Sequence, residues 1–224
     1  MRRHLRDNAL TIFFLAIFLA ALVGQAFVGH SQFNDEQIAH RAPTVSLGSY
    51  VTSSAFLVDV MENWQSEYLQ FVLFIVVTVW LVQRGSTESK PPGQQGTESD
   101  EEQKIGEHAQ PDSPAWAKAR GARLFLLSNS LVGVMALIWV GTWFAQLVTG
   151  RVVHNAEQLS HHEAPLSLWE YAGTSEFWNR TLQNWQSEFL AVASILVFSI
   201  YLRQRGSPQS KPVGEPHRST GAEG

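Results

Sequence analysis

Two glutamates, Glu67 and Glu188, occupy the same place in two nearly identical heptapeptides, NWQSEYL at 63–69 and NWQSEFL at 184–190. Each stands directly before an apolar run. A carboxylate there can bind a proton, a cation or a headgroup, and an ionisable residue within a membrane-crossing helix is read first as such a site. Asn63 and Asn184 precede the glutamates by one helical turn on the same face, where an amide can support a carboxylate. Gln25 and Gln146 lie near the ends of two other apolar segments, at a similar depth. Gln25, Asn63, Glu67, Gln146, Asn184 and Glu188 are therefore the candidate polar site. The plainer alternative is hydrogen bonding between helices, a common role of polar residues in helix pairs.

A second constellation is Glu36 with His40 and Glu157 with His161, each pair four residues apart and so on one helix face. Brought together, the four side chains are N and O donors suited to zinc or another divalent ion. Solvated surface pairs are the alternative. Trp64 and Trp185 suit the aromatic belt of a membrane interface. Arg84 and Arg205 open the repeated segments RGSTESKP and RGSPQSKP. They can anchor helix ends on anionic headgroups and on the negative end of the helix dipole. That leaves the serines unexplained unless the segment is a docking motif. The chain has no cysteine, so thiol chemistry is excluded. No phosphate-binding glycine loop, Gly-x-Ser-x-Gly elbow or His-Glu-x-x-His is present, so neither an enzyme nor a cofactor is expected.

The elements that would position these residues are written twice. The spacing of 121 residues holds without a gap from 2–91 onto 123–212, pairing Asn8 with Asn129, Gly29 with Gly150 and Tyr50 with Tyr171. Charged residues make up 16% of the chain and the net charge is -4. Apolar residues nevertheless collect in four blocks, at 9–28, 68–82, 131–148 and 189–202. The first and third are about 30 Å long as helices, enough for a hydrocarbon layer. The second and fourth are short and borrow length upstream, giving long helices over 54–83 and 175–204.

These blocks predict an all-α membrane protein. It has four transmembrane helices from two parallel tandem repeats of a helical hairpin, with short helices in the outer loops. Repeat 1 covers 1–91, with spans at about 9–29 and 63–83, and repeat 2 covers 123–212, with spans at about 127–150 and 184–204. Between them, 92–122 reads as a disordered linker, and 213–224 as a disordered tail. Thirteen of the sixteen basic residues lie on one side of this scheme. That predicts a multi-pass protein of the bacterial plasma membrane with both termini and the linker in the cytoplasm. A signal peptide at the first block is the competing reading, disfavoured because its counterpart lies mid-chain. Asn34 and Asn155 are expected to cap short helices in the outer loops. Ser167 with Glu170 is expected to form a capping box that Ser49 denies the first copy.

With GQAFVGH, NDEQIAH, NWQSEF and LRQRGSPQSKPV in view, the chain resembles an uncharacterised bacterial family of small integral membrane proteins, domain of unknown function 6766. The resemblance implies a four-helix plasma-membrane protein and carries no activity, ligand or catalytic residue. The functional expectation is a non-enzymatic integral membrane protein acting through assembly or partner binding in the envelope. Its partners would be the lipid bilayer and a homo-oligomer or another membrane protein, with no nucleic acid. The alternative is a small transporter or ion-conducting protein using the paired carboxylates.

Overall fold

Both halves begin with the same interruption. The computed structural model describes residues 2–221; Met1 of the first repeat and 222–224 of the tail lie outside the described residues. Helix α1 (Arg2–Asp7) stops at Asn8, and α2 (Ala9–Ala39) starts beyond it. After the third helix α3 (Leu47–Val51) and the fourth, α4 (Ser54–Val77), the pattern returns: α5 (Ala122–Ser128) stops at Asn129 and α6 (Ser130–Ser160) follows. The two asparagines share one backbone conformation, φ -119° and ψ 17° at Asn8, φ -117° and ψ 12° at Asn129. Asn129 Nδ2 donates to the Phe125 carbonyl at 2.8 Å, a side-chain bond of the kind that competes with the helix ladder. The remaining helices are α7 (Leu168–Ala172) and α8 (Ser175–Tyr201).

The outer corners are also duplicated. Helices α2 and α6 run on past Gly29 and Gly150 because nothing breaks their ladders there. Each glycine instead admits a tyrosine: a Cβ on Gly29 would overlap the Tyr50 hydroxyl, and one on Gly150 would lie 2.6 Å from that of Tyr171. Tyr50 and Tyr171 are 4% and 1% exposed, so the bare helix backbone is what lets a short helix, α3 or α7, dock its aromatic ring. Burial pushes the Tyr50 phenol above its usual range, and the carboxylates of Asp59 and Glu36 add to the effect. Each long helix ends on a left-handed residue that is not glycine, Arg41 at φ 60° and His162 at φ 64°. The N–H groups of Ala42 and Glu163 return to the carbonyls of Gln37 and Gln158, which closes a Schellman-type end.

Asn34 and Asn155 do not cap helices. Both lie inside an unbroken helix, where an N-cap's extended backbone is denied. Their side chains clamp the returning chain: Asn34 bonds both the N–H and the carbonyl of Val45, and Asn155 does the same to Leu166, all at 2.8–3.0 Å. The capping box forms, with Ser167 N–H on Glu170 Oε2 at 2.7 Å and Glu170 N–H on Ser167 Oγ at 3.3 Å. At the equivalent place Ser46 Oγ accepts from the Ser49 N–H at 3.2 Å and shares a 2.9 Å bond with the Ser49 hydroxyl, so no carboxylate answers the cap.

The four-span fold is corrected. Two helices, Ala9–Ala39 and Ser130–Ser160, have the length and apolar composition to cross a membrane. The helices α4 and α8 do not. Beyond Glu67 only 68–77 is helical, about 15 Å, and beyond Glu188 only 189–201, about 20 Å, against a layer of about 30 Å. Helix α4 stops short because Ile75, Val76, Val77, Thr78 and Val79 are β-branched. Thr78 bonds back to the Phe74 carbonyl, and the Gly96 N–H takes the Val79 carbonyl. Upstream of these stretches α4 and α8 are joined by side-chain bonds, Glu62 with Arg180 and Gln65 with Trp185.

The expectations that rested on four crossings are corrected with the fold. The charge count assigned sides by placing an even number of spans between the basic clusters. With two span-length helices the cluster at 84–123 lies between them, so the cytoplasmic termini, the multi-pass plasma-membrane localisation and the lipid bilayer as defining partner lose their basis. What stands is an all-α protein with extensive internal hydrogen bonding. It falls into two compact units, Met1–Met61 with Ala145–Ala172, and Glu62–Phe144 with Gly173–Gly224.

Candidate functional site

The second unit holds the duplicated NWQSE segments, one on α4 and one on α8. Glu62 accepts from Arg180 Nε at 2.5 Å, a charge-assisted pair with 16% and 29% side-chain exposure. One turn on, Trp185 Nε1 donates to Gln65 Oε1 at 2.9 Å, and Gln65 is fully buried. The indole N–H of Trp185 is thus spent on a buried partner inside the protein. In both copies the serine of the motif bonds back to the asparagine carbonyl, Ser66 to Asn63 and Ser187 to Asn184, each at 2.8 Å. Asn184 Nδ2 donates to the Arg180 carbonyl rather than to a carboxylate.

Glu67 and Glu188 do come near each other. Partial burial raises the Glu188 carboxyl above its usual range, and the Glu67 charge raises it further. Around Trp185 lies an aromatic cluster: Trp143 has ring centroids 6.1–6.3 Å from Trp139, Phe177, Trp178 and Trp185. The buried indole N–H groups of Trp139 and Trp143, and the Gln65 amide nitrogen, have no hydrogen-bond partner among the described residues.

Below this belt α4 and α8 part to leave a groove of about 380 Å³. Its walls are apolar, with Leu73, Phe74 and Val77 facing Phe189, Val192 and Leu196, and its two ends are polar, Gln70 at one and Glu88 at the other. The Gln70 Oε1 atom is buried without a hydrogen-bond partner among the described residues. A larger hollow of about 520 Å³ is lined by Val28, Gln32, Glu36 and other residues of α2 alone, so it is one side of a single helix and not an enclosure.

The Glu88 end is built by the first of the two serine segments, and both copies fold alike. Ser89 Oγ accepts from the Gln83 N–H and Ser210 Oγ from the Gln204 N–H, each at 2.9 Å. Ser86 Oγ accepts from Glu88 N–H and Ser207 Oγ from Gln209 N–H, each at 3.2 Å. Gly85 and Gly206, at φ 90° and 80°, make the turn. Lys90 Nζ and Lys211 Nζ each donate to the carbonyl six residues on, of Gly96 at 2.7 Å and His217 at 2.8 Å. Lys211 is 1% exposed, and this desolvation, with Arg203 nearby, lowers its ammonium below the usual range. The tail packs on the first loop through Gly85 N–H to Thr220 Oγ1 and Gly221 N–H to the Ser86 carbonyl.

Of the sequence-selected residues, Asn63, Glu67, Asn184 and Glu188 share this unit, whereas Gln25 and Gln146 belong to the other one. Gln25 is exposed and Gln146 is 1% exposed. Trp64 is half-buried, and Arg84 and Arg205 are exposed. Glu36, His40, Glu157 and His161 are exposed, and among the described residues no group of three or more His, Cys, Asp or Glu is placed to hold a metal ion. Sequence reasoning missed Arg180 with Glu62, Gln65, the Trp143 cluster and the groove. Only the charge reversal between Asp59 and its equivalent Arg180 marked the spot.

Fold and site together define an all-helical protein whose two halves repeat the same corners and loops. The chain belongs to the family described as domain of unknown function (DUF6766), with a match over residues 1–222. No curated protein and no solved structure matches it. The functional expectations are corrected by the same geometry. An integral envelope protein acting through assembly, and a transporter with a path past Glu67 and Glu188, both required four crossing helices. The structure has two helices of that kind, and the belt on α4 and α8 is filled by the Glu62–Arg180 and Gln65–Trp185 pairs.

Proposed function

We propose that this is a non-catalytic binding protein that takes a small, elongated apolar molecule into the groove between α4 and α8. The single observation that carries the reading is the groove itself. Its 380 Å³ falls in the range of small-molecule sites, about 300–1,000 Å³, and it has the usual apolar walls with a few polar groups at the ends. At about 30 Å³ per water it has room for a dozen or so non-hydrogen atoms. The belt above it supports a binding role over a catalytic one, because Glu62, Arg180, Gln65 and Trp185 are engaged with one another and hold the two helices in register.

The test is titration of the purified protein with decanol, a neutral chain of suitable size, followed by calorimetry or by displacement of a polarity-sensitive dye. Saturable binding at one site is expected, and Val192→Trp, which fills the groove, is expected to remove it without unfolding the protein by circular dichroism. Absence of saturable binding, or binding unchanged in a folded Val192→Trp variant, overturns the reading.

A further inference from the structure

The groove's polar groups indicate which head group its ligand carries. Its polar lining residues are Gln70, Thr78, Gln83, Glu88 and Ser89. Thr78 spends its hydroxyl on the Phe74 carbonyl, and Ser89 spends its own on the Gln83 N–H and the Lys90 carbonyl. Glu88 is the one charged residue in the lining, and no lysine, arginine or histidine accompanies it. Its carboxylate has a single side-chain partner among the described residues, the Thr87 hydroxyl at a long 3.5 Å. Lys90, two residues on, is committed elsewhere, to Glu98 at 2.5 Å and to the Gly96 carbonyl. At the far end the buried Gln70 Oε1 atom has no hydrogen-bond partner among the described residues.

A ligand matched to the apolar walls and to Glu88 has an apolar body, a cationic donor at the Glu88 end and no anionic group. From this we infer that the groove selects an amine-headed amphiphile, an alkylamine or a similarly shaped lipophilic cation, over an acid or an alcohol of equal length. The inference rests on the groove being a binding site. It adds the head group, and the orientation that puts the ammonium at Glu88. A carboxylate-headed chain would meet Glu88 as a like charge, which is the repulsive half of the selectivity. A partly desolvated ammonium–carboxylate contact is stronger than a neutral one and weakens with added salt.

The experiment compares decylamine, decanol and decanoate on the full chain at pH 7, below their aggregation concentrations, at two salt concentrations. Decylamine is expected to bind at least ten-fold tighter than decanol, and decanoate more weakly than either. The amine's advantage is expected to shrink at high salt. Glu88→Gln keeps the shape of the side chain and is expected to bring decylamine to within two-fold of decanol. Gln70→Leu is expected to keep the amine's advantage. Equal binding of amine and alcohol, tighter binding of the acid, or an amine preference that survives Glu88→Gln overturns the inference while leaving the groove in place. Failure of all three chains to bind overturns the groove reading and this inference with it.

Discussion

Replacing Gly29 by alanine sets two opposing effects against each other, and the structure says which wins. Alanine inside a helix is worth about 0.5–1 kcal/mol over glycine. Against that, the new Cβ would overlap the Tyr50 hydroxyl, and the ring is 4% exposed with Phe33, Phe56 and His30 around it at 5.4–5.9 Å, so it has little room to move. Overpacking of this kind costs about 1–3 kcal/mol. The net expectation is a loss of about 0–2.5 kcal/mol, or up to about 10 °C in Tm at the 2–4 °C per kcal/mol usual for a chain of this size. In a Tyr50→Phe background the obstacle changes. The nearest atom is then the ring carbon Cζ at 3.2 Å, which a small tilt relieves, and Gly29→Ala should be neutral or stabilising. The coupling in the double-mutant cycle, read by urea or thermal unfolding, should exceed about 1 kcal/mol. Gly150 with Tyr171 supplies an internal replicate of the same cycle. Equal effects of the alanine in the tyrosine and phenylalanine backgrounds would refute the assignment of these glycines to the tyrosine hydroxyl.

Ser89→Ala and Ser210→Ala each remove the acceptor of a part-buried hydrogen bond from a backbone N–H, of Gln83 and of Gln204, and each should cost about 0.5–1.5 kcal/mol by urea unfolding. Arg41→Gly and His162→Gly relieve a left-handed side-chain residue worth about 1–2 kcal/mol, less glycine's extra chain entropy, so both should raise Tm slightly and by similar amounts. Arg180→Met strands the Glu62 carboxylate and should destabilise by about 1.5–3 kcal/mol, with most of that recovered in the double variant Arg180→Met, Glu62→Leu. Glu188 binds its proton more tightly in the folded state than the usual 4.5 allows, so its contribution is present below that pH and lost as pH rises through the raised folded value. Glu188→Gln should therefore raise Tm at pH 7 and flatten the fall in stability between acid and neutral pH.

What was legible in the sequence was whatever depends on neighbours along one chain segment. The 121-residue register placed the equivalent corners and loops, and the Ser167 and Glu170 spacing gave the capping box, because each involves contacts within a few residues, whereas the break at Asn129 fell inside a segment read as one span. The misreadings came from reading composition as length. A run of apolar residues from 68 to 82 looks like most of a span, yet β-branched residues end its helix at Val77. The ion pair and the indole bond were hidden for another reason. Glu62 meets Arg180 and Gln65 meets Trp185 at separations of 118 and 120 residues, off the repeat register, so duplication could not point to them. Asn34 and Asn155 carry a capping residue's chemistry but spend it across a loop, on Val45 and Leu166.

The way the tail closes on the first serine loop bears on the order in which the protein is made. Gly85 is joined to Thr220 across 135 residues, and the Gly221 N–H reaches the Ser86 carbonyl. At synthesis rates of about 5–20 residues per second, the loop after α4 therefore emerges roughly 7–27 s before the strand of chain that completes it. During that interval the Gln83–Ser89 closure must hold the loop by local bonds alone. The second copy's tail contact is local, since Arg203 Nη2 donates to the Glu215 carbonyl only 12 residues on. Two loops with the same internal wiring thus mature on different clocks, the first waiting on chain made 135 residues after it.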